Sequence, residues 1–202
     1  MTVQNTPHST RVNTEAMDQL FREARSFSKW QDRPVGLPVL EEIYELMKYG
    51  PTSANTSPAR FLFLATEEAK SRLVPLLPEG NQEKARTAPV VAIVAYDLEF
   101  FHKLDKLMPF RDLKPWFAGD PRQAEVTAIQ SGTLQGAYLM LAARAVGLDC
   151  GPMLGDLKKI DDEFFMGTHW RANFLCCLGY GDRTQLHPRL PRLDFNEASK
   201  IL

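Results

Sequence analysis

The 202-residue chain has three cysteines, four histidines, no surplus of charge and no long apolar run, and each scarcity removes a class of protein. Cys150, Cys176 and Cys177 are odd in number and form no CxxC pair, so neither a disulfide framework nor a cysteine-based metal knuckle is expected. Adjacent Cys176 and Cys177 would point to opposite faces of a strand, and read as small reduced core residues rather than reactive ones. His8, His102, His169 and His187 lie far apart with no HExxH, which leaves no candidate metal site. Lys plus Arg number 24 against 25 for Asp plus Glu, so the cationic excess that drives nucleic-acid binding is missing. Without a stretch of about 18 apolar residues no membrane span is expected. The polar start, Met1 to Val12, lacks the basic, apolar and small-residue order of a signal peptide and reads as a disordered tail. The expectation is a cytoplasmic enzyme with neither nucleic acid nor membrane as partner.

What is present looks globular. Apolar residues make up 44% and charged ones 24%, and a chain of this length can bury about 70% of its unfolded surface without staples. Residues 13–202 read as a single domain. Asn13 or Thr14 caps a first helix carrying Met17, Leu20, Phe21 and Ala24, and a second presents Leu40, Ile43, Tyr44 and Met47 before Gly50-Pro51 stops it. Strands are expected at Phe61–Ala65, Val90–Tyr96 and Asn173–Tyr180, with short helices at Thr66–Leu77 and Ile160–Met166. Residues 98–122 mix aromatics with Pro, Lys and Arg, which suggests a short helix and a covering lid. The longest helix, Ala124–Val146, sets Val126, Ile129, Thr133, Ala137, Tyr138 and Leu141 in register, while Gly132 and Gly136 would let another helix come close. Without a strict βαβ rhythm, an α+β fold is expected.

Most chemical motifs are missing. Gly179-Tyr-Gly181 follows a strand but has no third glycine and no helix to receive a pyrophosphate; GxxxxGK[ST] and GxSxG are absent. Three places remain. Gly50-Pro-Thr-Ser-Ala-Asn-Thr-Ser-Pro58 gathers small hydroxyl and amide side chains, either as a plain helix stop and turn or as donors and acceptors for a polar heterocycle. Cys150-Gly-Pro-Met-Leu-Gly155 exposes backbone between strand and helix. Arg25, Arg189 and Arg192 could together clamp a phosphate, because a guanidinium pairs bidentately with it.

Those stretches, with Ile43–Lys48, Gly80-Asn81, Lys84, Leu134–Tyr138, Ala142–Ala145, Gly147–Met153, Gly179–Asp182 and Pro188–Leu193, resemble the FMN-dependent nitroreductase family over about residues 20–198. Within it the chain is most similar to the malonic-semialdehyde reductases of pyrimidine catabolism. The resemblance implies a nitroreductase-like α+β fold, with a mixed central sheet flanked by helices, in a domain-exchanged homodimer. It implies bound FMN, NADH or NADPH as diffusible donor, and a ping-pong hydride transfer through flavin N5 that needs no protein nucleophile and no metal. The implied reaction is reduction of malonic semialdehyde to 3-hydroxypropionate, with nitroaromatics, quinones or other electron-poor acceptors as the alternative.

By the same resemblance Arg25, Ser26 and Arg189 hold the FMN phosphate, and Ser53 and Asn55 reach the ring and ribityl chain from the neighbouring subunit. Pro51 and Thr52 shape that turn, Asn81 and Lys84 contact the pyrimidine edge, and the backbone of Pro152, Met153, Leu154 and Gly155 faces N5 and O4. The sequence departs from the family pattern at Leu154, where a serine is expected after the methionine. It departs again at Met108–Asp112, where the branch carries a histidine, and at Ile129–Thr133, where an Arg-Asn-Ser-Ser run is expected. A carboxylated aldehyde calls for a cation near the flavin, and Arg60, Arg111 and Lys114 are the candidates.

Overall fold

Strand β2 (Val90–Asp97) is the centre of a four-stranded sheet in a computed structural model that describes residues 11–202. The expected tail, residues 1–12, falls almost wholly outside the described residues. β2 is β-branched and apolar along nearly its whole length because both its faces are covered. Val91, Ile93 and Ala95 enter one core, and Val90, Ala92 and Val94 enter another. β1 (Ala59–Leu64) and β4 (Trp170–Gly179) flank it, and β3 (Asp149–Met153) adds to β4, giving the order β1-β2-β4-β3. These pairings are all antiparallel; the mixed character expected of the sheet is confined to one parallel bridge, Ser26 to Cys150.

Helices α3 (Glu67–Leu73), α4 (Glu79–Thr87) and α8 (Leu157–Phe164) lie along the chain near the first core, whose buried members include Leu73, Ala85 and Ile160. Helices α2 (Leu37–Met47) and α7 (Pro121–Ala145) cover the other face. As expected of neighbours on a strand, Cys177 faces the first core while Cys176 joins Cys150 in the second, and all three thiols are free and buried. On α2 the expected face is met at Leu40, Ile43 and Met47, but Tyr44 turns outward. The first helix is shorter than its pattern suggests: α1 (Thr14–Met17), capped by Asn13, passes into a π-turn over Asp18–Arg22, and Phe21 is exposed.

The expected lid, residues 98–122, is two short helices, α5 (Leu104–Leu107) and α6 (Lys114–Ala118), after a 3₁₀ turn. Phe100, Leu104, Leu113 and Phe117 form a small third core against Ala124 and Ala128 of α7, so the segment is anchored while Phe110 stands 94% exposed.

The long helix corrects two expectations. Its buried face is Ala124, Thr127, Ala128, Ser131, Gly132, Gln135, Gly136, Leu139, Ala142 and Ala143, whereas Val126, Ile129, Leu134 and Tyr138 are exposed. Gly132 and Gly136 admit the sheet rather than another helix. A Cβ on Gly136 would lie 2.5 Å from Phe174 Cζ, and one on Gly132 would lie 3.3 Å from Tyr96 Cβ. So close an approach accepts only small side chains, which leaves the large apolar residues on the outer face. Among the described residues no helix is long and apolar enough to cross a membrane.

Candidate functional site

After the π-turn the chain carries Arg25 and Ser26 alongside the outer edge of β3, where Phe27 N donates to Cys150 O at 2.9 Å. The C-terminal segment crosses this stretch, and arginines of each tie down the other. Arg25 donates to the His187 carbonyl, while Arg189 Nη2 donates to the carbonyls of Arg22 at 2.7 Å and Ala24 at 3.0 Å. The result is a cavity of about 530 Å³ to which Arg25, Arg144, Arg189 and Arg192 all contribute, with no Asp or Glu in its lining. The three arginines read as a possible clamp are therefore brought together. Arg144 was not foreseen; its signal, a cation in the last turn of a long helix, reads equally well as ordinary helix-end electrostatics.

From this cavity a polar stripe continues along β3. Cys150 to Leu154 advances about 13 Å at the rise of a strand. Lys84 Nζ donates to Pro152 O at 2.9 Å and Asn81 Nδ2 to Leu154 O at 3.1 Å. Both come from α4, a helix so polar (EGNQEKART) that no apolar period announces it. Lys84 is buried, and among the described residues no carboxylate pairs with it. Burial therefore pushes its pKa below the ordinary lysine value. Gly151 is required here: a Cβ would lie 2.5 Å from Phe27 O and 2.6 Å from Lys84 Cε. Met153 is buried, whereas Leu154, at the position where a serine was expected, faces outward.

The Gly50–Pro58 turn is built differently. Ala54, Asn55 and Ser57 adopt φ of 48°, 53° and 41°, a left-handed backbone that costs an L-residue about 1–2 kcal/mol. α7 holds both ends of it: Ser53 N donates to Ser131 Oγ at 3.2 Å, and Ala59 N to Gln135 Oε1 at 2.8 Å. Thr52 Oγ1 accepts from Ser57 N at 3.1 Å, closing the turn on itself. Asn55 Nδ2 donates to Leu107 O at 2.7 Å, which ties the turn to the lid segment. A plain helix stop needs one left-handed residue; three non-glycine ones favour a functional turn. Pro51, Ser53 and Asn55 are exposed.

The candidates for an acceptor's carboxylate are not brought to one place. Arg60, on β1, is already engaged: Nη2 pairs with Asp97 Oδ2 at 2.7 Å, and Nη1 donates to the carbonyls of Ser57 and Ala59. Arg111 is exposed on the lid, and Lys114 opens α6. The turn and the arginine cavity also lie apart. Ser131 and Arg144, their respective contacts on α7, are separated by about 20 Å at the rise of a helix.

Comparison with known proteins gives a consistent picture. The family model described as the nitroreductase family matches residues 21–180. A Stenotrophomonas maltophilia (strain K279a) protein, provisionally named an NADH dehydrogenase/NAD(P)H nitroreductase, is 52% identical over 191 residues, covering 94% of this chain and 97% of that protein. A Ralstonia nicotianae protein of the same provisional name is 51% identical over 192 residues, covering 95% and 98%. Among solved structures, a provisionally assigned nitroreductase of Exiguobacterium sibiricum, in complex with FMN, superposes with a TM-score of 0.82. It is 25% identical and the match covers 96% of this chain and 100% of that one. A Bacillus subtilis protein, 20% identical, has a TM-score of 0.83 over 94% of this chain and 100% of that one, a likeness of fold.

Proposed function

The chain belongs to the nitroreductase family, and we propose that it is an FMN-dependent NAD(P)H oxidoreductase working as a homodimer. One observation carries the reading: an acid-free arginine cavity leads along the β3 edge to a buried lysine that has no carboxylate partner among the described residues. Charge, length and donors along this path fit FMN, with a dianionic phosphate at one end and a flat polar ring at the other. When bound, FMN supplies the two-electron hydride chemistry, with NADH or NADPH as donor. The protein's part is to bind, orient and exclude water. Arg25, Ser26 and Arg189 would hold the phosphate. Lys84 and Asn81, whose donors already point at the carbonyls of Pro152 and Leu154, would meet the pyrimidine edge beside the Met153–Gly155 backbone. The names of the relatives and the FMN complex of the Exiguobacterium sibiricum protein support the same cofactors.

The homodimer rests on separation and on surface. Ser53 lies on the turn, whose contact Ser131 is about 20 Å along α7 from Arg144, and a second copy would let Ser53 and Asn55 of one chain reach the flavin held by the arginines of the other. The outward Val126, Ile129, Leu134 and Tyr138 of α7 provide an apolar face for it.

For the acceptor, the word nitroreductase in the relatives' names favours nitro compounds over the aldehyde, and exposed Phe110 and Trp116 on the lid suit flat electron-poor molecules such as nitroaromatics and quinones. Malonic semialdehyde remains the second reading, carried by Arg111, which faces solvent without a pairing acid among the described residues. Anaerobic addition of NAD(P)H to the yellow protein should bleach it, and an acceptor should restore the colour. A protein that takes up no FMN, or whose bound flavin stays oxidised, defeats the proposal. Arg111→Ala should raise KM for malonic semialdehyde more than for a neutral quinone; equal changes remove the aldehyde reading.

A further inference from the structure

Arg144 projects from the last turn of α7 into the arginine cavity. Its Nη1 donates to Leu20 O at 3.1 Å, its Nε is buried with no partner, and no carboxylate among the described residues lies within ion-pair distance. Arg144 also borders an adjoining cavity lined by Glu23, Asp149 and Arg183, where Asp149 accepts from Gly181 N at 3.0 Å with Arg183 at 4.0 Å, and neither acid pairs with Arg144. A partly buried guanidinium with an unbonded N–H and no counter-charge is costly unless an anion completes it. Helix-end electrostatics does not supply that anion, because the terminal carbonyls of Arg144 and Ala145 already accept from Gln19 Nε2.

We propose that Arg144 is a third phosphate-holding residue, the fixed wall of a site whose other arginines sit on terminal segments. This rests on the FMN reading above. A phosphate monoester carries close to two negative charges and three acceptor oxygens. Arg25 and Arg189 have part of their donor capacity engaged by backbone carbonyls. Arg144 arrives from a 25-residue helix packed on the sheet, so its placement is set by the core.

The test crosses protein with ligand. Flavin-stripped full-length protein, Arg144→Gln, Arg144→Lys and Arg189→Ala are each titrated with FMN and with riboflavin, which lacks the phosphate, and quenching of flavin fluorescence gives affinity. Arg144→Gln should weaken FMN about tenfold and leave riboflavin unchanged. Arg144→Lys should recover part of the loss, because an ammonium keeps the charge but not the two-pronged geometry. Equal weakening of both flavins would mark Arg144 as merely structural, and no weakening of either would equally overturn the inference. If Arg144→Gln does not fold, Arg144→Lys alone decides: FMN weakened about threefold with riboflavin unchanged supports the proposal, and unchanged FMN overturns it. If Arg189→Ala also fails to separate FMN from riboflavin, the fault lies with the phosphate assignment itself rather than with Arg144.

Discussion

The Gly50–Pro58 turn is attached to the middle of one helix and the arginine cavity to its C-terminal end, and they are built by opposite means. The cavity concentrates charge: four guanidiniums, no acid, and terminal segments held by arginine-to-carbonyl bonds. The turn concentrates geometry: three left-handed residues fixed by hydroxyl and amide bonds from Ser131 and Gln135. Charge acts over several ångströms and tolerates a moving side chain, whereas a strained backbone must be held at each end. The first suits an anion, and the second suits presenting short side chains to a neighbour.

If the two regions meet only across copies, separating the copies should have the largest effect. Ile129→Glu with Leu134→Glu puts charge on the outer face of α7; sedimentation should then show monomers, and these should lose FMN. A monomer that keeps its flavin would break the comparison outright. Next in size, Arg189→Ala should weaken FMN binding by about 2 kcal/mol, the low end for a charge-assisted contact because the residue is exposed. The loss should shrink as salt is raised, while that of Asn55→Ala should not.

Gly136 lies on α7 between the turn's contacts at Ser131 and Gln135 and the cavity's Arg144, so Gly136→Ala tests their common support. Its Cβ would meet a ring carbon of Phe174 at 2.5 Å and Val94 Cγ1 at 3.2 Å, and the overpacking should cost about 1–3 kcal/mol, read as a lower Tm. A helix shifted off the sheet should harm turn and cavity together; damage to one alone would mean that they are supported separately.

The smallest effect concerns Lys84. Its pKa is lowered in the folded state by burial, so the charged form carries a desolvation penalty that only the folded state bears. As pH rises toward the ordinary value of 10.5 the folded state releases its proton first and the penalty fades. Lys84→Met should therefore stabilise the flavin-free protein by about 1 kcal/mol near neutrality. The gain should diminish as pH climbs to that value, as denaturant titration across pH would measure. An advantage growing with pH would contradict the burial argument.

The sequence made the sheet centre and the inner face of α2 readable, because Val90–Tyr96 and Leu40, Ile43 and Met47 carry their burial as period and composition. It hid α4, whose contacts are polar and whose buried side chains are a lysine and an alanine. It misled on α7 for a definite reason: periodicity reports where large apolar residues fall, and here the sheet takes the small ones. That Arg25, Arg189 and Arg192 come together was not legible from spacing, since no spacing rule connects Arg25 with Arg189 across the length of the chain, and the roles of Arg25 and Arg189 came from resemblance. Arg144 lies in the resembling stretch Ala142–Ala145 but was given no role, because its neighbours come from the two ends of the chain.

The three thiols bear on chemical durability. A flavin reductase works beside oxidants, and what oxidants attack is an exposed thiolate. Cys177, on β4, faces the first core with its pKa pushed up to about 12 by burial, and Cys150 and Cys176 are sealed in the opposite core. Peroxide released at the surface would find no cysteine within reach. Its first targets would be the exposed methionine Met166 and the lid's Trp116, so oxidative ageing of this protein should register as sulfoxide and altered fluorescence rather than as crosslinked chains.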